Sequence, residues 1–230
     1  MATVSFEKKE MPMQGIKKGR CLLIGAGDLT ISEIRKKEDD FVIALDGGLG
    51  YCDFLQLEPD LIIGDFDSVT DEERRALDEI ENKVPDKVIR LKPEKDDTDM
   101  LYAIRYALKM GYKEFLLYAA TGGRFDHTWA NVQCLLFLKN HDACGYLMDG
   151  NGMIMVIKDE KISFRENMQG YLSLFCLGDR AEGVTIKGLK YPLNDHEMTN
   201  DFPIGISNEF IGEKAEIIVK NGALACFIIF

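Results

Sequence analysis

The sequence holds one tryptophan, three histidines and six prolines in 230 residues. Its six cysteines (Cys21, Cys52, Cys134, Cys144, Cys176, Cys226) include no C-x-x-C pair and have no closely spaced histidine, which excludes the common structural zinc modules. Most sit in apolar segments, so buried free thiols are expected, and a reducing compartment, the cytoplasm, suits them. No apolar run approaches the about 20 residues a membrane helix needs, and MATVSFEKKE at the N-terminus does not have the make-up of a signal peptide. Positive charge is scarce: 28 Lys and Arg face 39 Asp and Glu, for a net charge of −11. Such a chain repels a phosphate backbone, so sequence-independent nucleic-acid binding is excluded, whereas a cationic small molecule or a metal-bound nucleotide is not repelled. There is no G-x-x-x-x-G-K-[ST] loop, and Gly25-Ala26-Gly27 lacks the third glycine of a dinucleotide fingerprint.

What remains is globular: 46% hydrophobic and 29% charged residues suffice for a core. The segments 21–27, 41–48, 61–67, 87–91, 114–120 and 143–149 are short apolar runs, as in a parallel sheet buried on both faces. Between them, 71–82, 98–110 and 125–140 carry helical patterns, the second stopping at Gly111. This alternation predicts an α/β domain over 1–150 with a doubly wound, mostly parallel sheet. From 151 to 230 the runs are strand-like and separated by Gly, Asn and Asp, which predicts an all-β sandwich; Asn221-Gly222 between two apolar runs predicts a hairpin.

Several predicted strands end in Asp, Gly or Arg, where ligands bind in a doubly wound sheet. In Ile63-Gly64-Asp65-Phe66-Asp67-Ser68, extended geometry places Asp65 and Asp67 on one face. Paired carboxylates suit a hard cation such as Mg²⁺; the alternative is one helix cap and one solvated acid. In Lys95-Asp96-Asp97-Thr98-Asp99, helical spacing puts Asp96 and Asp99 on one face, Asp97 or Thr98 caps the helix, and Asp99 is the choice for a third metal ligand. In Thr121-Gly122-Gly123-Arg124-Phe125-Asp126, the glycines allow close backbone approach and Arg124 matches phosphate oxygens, while Asp126 either caps the next helix or serves the site. Asp46-Gly47-Gly48 opens a tight strand-to-helix turn whose N–H groups suit a phosphate.

D-G-G, G-D-F-D-S, D-x-T-D and G-G-R-F-D-H, in that order and ahead of an all-β tail with Ser207-Asn208, resemble the thiamine pyrophosphokinase family over nearly the whole chain. The resemblance implies transfer of a pyrophosphoryl group from ATP to the hydroxyl of thiamine, giving thiamine diphosphate and AMP. It implies Mg²⁺ on Asp65, Asp67 and Asp99. Asp46, Gly47, Asp96, Thr98, Arg124 and Asp126 then surround the nucleotide phosphates and the reacting group. Ser207 and Asn208 are implied on the thiamine side, with a homodimer that completes each site across its interface. The β domain has no tryptophan to stack on thiamine; Phe210 or Phe202 is the substitute, and the lone Trp129 is expected in the core.

The chemistry is consistent with this, since phosphoryl-type transfer asks for positioning and charge neutralisation above all. Asp126 or Asp96 is the candidate to orient or deprotonate the alcohol. Two rivals remain. Asp65-Phe66-Asp67-Ser68-Val69 also fits the D-x-D-x-[TV] of haloacid-dehalogenase-like phosphatases with Asp65 as nucleophile, although that motif follows the first strand of its domain. The other is a non-catalytic nucleotide-binding module.

Overall fold

The structure, a computed structural model, describes residues 17–67, 69–92 and 96–230. Ser68 and Lys95 of the acidic motifs therefore lie outside the described residues. The strands run β1 (Cys21–Ile24), β2 (Phe41–Leu45), β3 (Leu61–Gly64), β4 (Val88–Arg90), β5 (Glu114–Tyr118) and β6 (Cys144–Asp149). Helices α1 (Gly48–Phe54), α2 (Asp71–Lys83), α3 (Asp99–Lys109) and α4 (Phe125–Lys139) lie between them. All six strands pair in parallel in the order β6-β5-β1-β2-β3-β4. The chain starts in the middle at β1, steps outward to β4, and returns through α3 to β5 on the other side of β1. The strand order thus reverses between β1 and β5, where open α/β sheets bind their ligands.

Strand residues alternate between two cores. Leu23, Ile43, Ile63 and Leu117 face α3 and α4, packing with Ile104, Ala107, Leu135 and Leu138. Leu22, Val42, Ile62 and Leu116 face the opposite side, against Cys52 of α1 and Leu77 of α2. Burial on both faces is why these strands are nearly continuous in apolar residues. All six cysteines are free, five buried and Cys144 half-buried.

The main sheet does not stop at residue 150. β7 (Gly152–Lys158) pairs antiparallel with β6, and β14 (Ala223–Ile229), β9 (Tyr171–Cys176) and β12 (Asn208–Glu209) extend the same sheet to ten strands. A second, antiparallel sheet holds β8 (Lys161–Phe164), β10 (Arg180–Lys187), β11 (Leu193–Thr199) and β13 (Ala215–Ile218). Leu224, Cys226 and Ile228 point towards this second sheet and pack on Val184, Ile186 and Ile217. Ala223 and Ala225 point the other way, towards the α4 core. The sandwich is therefore one end of the long sheet facing the small one.

The hairpin predicted at Asn221-Gly222 is not formed. β13 and β14 lie in different sheets, and the turn carries the chain across the sandwich, with Gly222 at φ +106° and its N–H donating to Asp159 Oδ1 at 2.7 Å. Turn residues permit a reversal; they do not decide that the flanking strands pair.

Candidate active site

Four parallel strands release their chain at one rim beside the β1/β5 switch point. Three of these exits pass through a non-glycine residue in the left-handed region: Asp46 after β2 (φ +46°), Phe66 after β3 (φ +55°) and Ala119 after β5 (φ +47°). For a bulky residue such as Phe66, fully buried here, this is an outlier that the surrounding packing must hold, and such strain collects at functional sites. Arg74 Nη2 donates to the Phe66 carbonyl at 3.1 Å, and the Arg90 guanidinium lies 5.5 Å from the ring centroid.

The left-handed turn at Phe66 overturns the extended reading of Asp65-Phe66-Asp67. β3 ends at Gly64, and the Asp67 N–H folds back to donate to Asp65 Oδ1 at 3.3 Å. The two acids do not share a face by strand alternation. Asp65 is half-buried and Asp67 exposed.

The fold brings Asp46 up against a second acid. Its carboxyl interacts with that of Asp99 at the start of α3. Burial is the main force raising the Asp46 pKa to about 7, followed by the interaction with the Asp99 carboxyl and its charge; the Phe66 N–H, 3.4 Å away, opposes this, and the charge of Asp65 adds to it. Gly64 makes room for the group, since a Cβ there would stand 2.0 Å from Asp46 Oδ1. Asp46, Asp65 and Asp99 therefore bring three carboxyl groups to one stretch of rim.

Among the described residues no three His, Cys, Asp or Glu side chains are arranged as a ready-made metal cage. Mg²⁺ does not require one: it keeps several waters and binds through one or two carboxylates plus substrate phosphates. Acids pressed together until one takes up a proton near neutrality, with only oxygen donors, fit such an ion.

Thr98 is the N-cap of α3, its hydroxyl accepting the Leu101 N–H at 3.1 Å. The helix begins at Asp99, so Asp96 precedes the cap and the shared helical face expected for Asp96 and Asp99 does not exist. Asp96 is exposed, and Asp97 pairs with Arg105 at 2.5 Å. Gly47 is the N-cap of α1, and Gly48 lets that helix cross β1, because a Cβ there would lie 2.1 Å from the Ile24 carbonyl oxygen.

Arg124 is the N-cap residue of α4, with no side-chain cap bond at that position. Its guanidinium pairs with Asp126 in a two-pronged contact of 3.1 and 2.6 Å, both side chains open to solvent. The hydrogen bond to Arg124 holds the Asp126 carboxyl below its usual range. Trp129 is not in the core: it is 52% exposed, and Phe125, one turn earlier on the helix, is 92% exposed. α4 buries Val132, Cys134, Leu135 and Leu138 instead, leaving its first turns to overhang the rim.

Ser207 lies at φ +56°, exposed, with its N–H donating to Ser173 Oγ at 2.9 Å. Asn208 is turned inward: its amide nitrogen donates to the Tyr191 carbonyl at 2.7 Å, and its oxygen accepts the Tyr191 N–H at 2.9 Å. Of the two phenylalanines considered for stacking, Phe210 packs edge-on against Phe164 in the sandwich, and Phe202 is exposed.

Comparison with known proteins places the chain in a family. Residues 34–145 match the model of the thiamin pyrophosphokinase catalytic domain, and residues 159–224 that of the thiamin pyrophosphokinase vitamin B1 binding domain. The chain is 30% identical over 162 residues to the thiamine pyrophosphokinase of Bacillus subtilis strain 168, covering 70% of this chain and 74% of that one. Among solved structures, the thiamine pyrophosphokinase from Bacillus subtilis superposes with a TM-score of 0.79 at 27% identity, over 92% of this chain and 99% of the other. That from Geobacillus thermodenitrificans gives 0.78 at 26%, over 92% and 97%.

Proposed function

The chain belongs to the thiamine pyrophosphokinase family, thiamine diphosphokinases by activity, and on that premise we propose which residues serve the transfer and with what helpers. Neither rival reading is supported: Asp65 follows the third strand of the sheet, and both family models are those of one enzyme. ATP is the donor. The thiamine hydroxyl oxygen bonds to the β-phosphorus, the bridge between the α- and β-phosphates breaks, AMP leaves, and the hydroxyl proton passes to a base.

Asp65, Asp67 and Asp99 are the acids that would hold Mg²⁺, which when bound neutralises phosphate charge. Asp46, pressed against Asp99, fixes the direction of that carboxylate. Gly47 and the Thr98 cap present the starts of α1 and α3 to the nucleotide side, with Asp96 beside them. Arg124 offers its fork of donors to the transferred group, and Asp126 holds that fork in place. Ser207 presents its hydroxyl to thiamine, and Asn208 anchors the turn that carries it. The acidic rim attracts the thiazolium cation.

The observation that carries this reading is the convergence of Asp46, Asp65 and Asp99 from β2, β3 and α3 on one rim. Two copies are proposed to complete each site, Ser207 of one facing the acids of the other; exposed Phe202, Ile204 and Ile206 beside Ser207 support an interface there. The free thiols suit the cytoplasm, and among the described residues no helix is long and apolar enough to cross a membrane. Incubation with ATP, Mg²⁺ and thiamine is expected to yield AMP and thiamine diphosphate in equal amounts. ADP with thiamine monophosphate would refute the scheme.

A further inference from the structure

We infer that Asp149 is a positioning residue, whose carboxylate clasps the loop after β5 and so sets where Arg124 meets the phosphates. Asp149 ends β6. Its Oδ2 accepts two hydroxyl hydrogen bonds, from Thr30 at 3.0 Å and from Thr121 at 3.1 Å. Its Oδ1 accepts the Asn151 N–H at 2.9 Å, and the Gly150 N–H donates to the Thr30 hydroxyl oxygen at 2.9 Å. The Asp28 N–H donates to the Thr121 carbonyl at 2.8 Å. One carboxylate therefore ties together the segments that follow β1, β5 and β6, directly at the switch point.

The loop it holds has little support of its own. Gly122 and Gly123 both have positive φ, +78° and +58°, and they separate Thr121 from Arg124. Two consecutive glycines without side chains leave the backbone free to rotate, so the position of Arg124 depends on how the loop is pinned at its ends. α4 pins one end. At the other, the clasp at Thr121 adds to the bond from Asn131 Nδ2 to the Ala120 carbonyl at 2.7 Å.

A carboxylate suits this task because both of its oxygens accept. An amide has one acceptor: Asp149→Asn must turn its NH₂ group towards either the two threonine hydroxyls or the Asn151 N–H, and loses charge-assisted bonds at whichever end it chooses. Asp149 itself touches no reacting atom in this scheme.

The inference rests on the reading that Arg124 contacts the phosphates, and the test separates the two. Steady-state kinetics of the full-length protein with ATP and thiamine would compare Thr121→Val, Thr121→Ser, Asp149→Asn, the Thr121→Val/Asp149→Asn double variant and Arg124→Ala. Thr121→Val and Asp149→Asn are each expected to lower kcat/KM for ATP by about 10- to 100-fold, the scale of a small misplacement of a catalytic group, with the KM for thiamine unchanged. The double variant should be no worse than the poorer single one, because both break the same clasp. Thr121→Ser, which keeps the donor, should recover most of the loss. Amide hydrogen exchange over 121–126 should rise in Thr121→Val and not in Thr121→Ser. If Asp149→Asn does not fold, the Val/Ser pair decides alone. Thr121→Val with parental kinetics and only a lower melting temperature, or losses that multiply in the double variant, would overturn the clasp. Should Arg124→Ala be crippled while Thr121→Val is parental, the clasp alone falls. An Arg124→Ala protein with parental kinetics would remove the reading of Arg124 and the inference with it.

Discussion

The carboxyl groups of Asp46 and Asp99 act on one another, although one leaves the end of β2 and the other opens α3. Two acids in contact repel when both are ionised, so the fold tolerates at this rim an arrangement that works against its own stability. Arrangements of this kind are kept where charge is put to use.

Replacing Asp99 by Asn should therefore not lower the melting temperature measured without metal, because an uncharged amide no longer repels the Asp46 carboxylate. Turnover should fall by at least about 100-fold, the usual scale for losing a group that organises transition-state charge. Added Mg²⁺ with ATP should raise the melting temperature of the parent, and the rise should shrink in Asp99→Asn. Asp65→Ala should likewise abolish turnover with little loss of fold. Near-normal activity in that variant would remove Asp65 from metal binding.

Gly64→Ala probes the same cluster without touching an acid. The added methyl would lie 2.0 Å from Asp46 Oδ1, so the end of a side chain, and not the sheet backbone, has to move. Chemical denaturation should show a loss of about 1–3 kcal/mol, while kcat falls far more than this change in stability explains. Parental kcat would show that the position of Asp46 does not matter.

Trp129 is the single tryptophan and stands half in solvent. Trp129→Ala should change the folding stability of the isolated protomer by no more than about 0.5 kcal/mol, as for surface positions. Its native fluorescence should be red-shifted and readily quenched. A blue-shifted, quencher-resistant signal would return Trp129 to a buried setting.

Acid stability should report on Asp40. Its side chain is fully buried before β2, and it accepts the Lys37 N–H at 2.8 Å, Arg20 Nε at 2.9 Å and the Arg20 Nη2 group. Burial alone would raise its pKa; the bonds from Arg20 and Lys37 outweigh that and hold it below 3.8. A carboxyl depressed in the folded state contributes stability above its unfolded pKa and loses it as pH falls through the folded one. The melting temperature should fall as pH drops below about 4, and this dependence should flatten in Asp40→Asn. Asp40→Ala should cost about 3 kcal/mol at neutral pH, since it strands a largely buried Arg20.

The six parallel strands and the helices of 71–83, 99–109 and 125–139 were legible because burial on two faces writes continuous apolar runs and burial on one face writes a helical period. The Thr98 cap was legible because an N-cap needs only its own few neighbours. Trp129 was misplaced because the part of α4 that overhangs the rim carries the same kinds of residue as the part that packs. The extended reading of Asp65-Phe66-Asp67 failed at Phe66, whose left-handed backbone is imposed by its surroundings against its own preference. Asp149 and Thr30, 119 residues apart, carried no local signal at all.

Residue order alone settled the class of fold and the family, because periodicity and motif spacing are properties of neighbours along the chain. The tertiary structure decided which acids touch, which end of α4 stays open, that the long sheet runs on into the sandwich, and which carboxylate gathers the loops at the switch point. Those are relations between distant segments, and their geometry exists only once the sheet has brought the strand ends to a common edge.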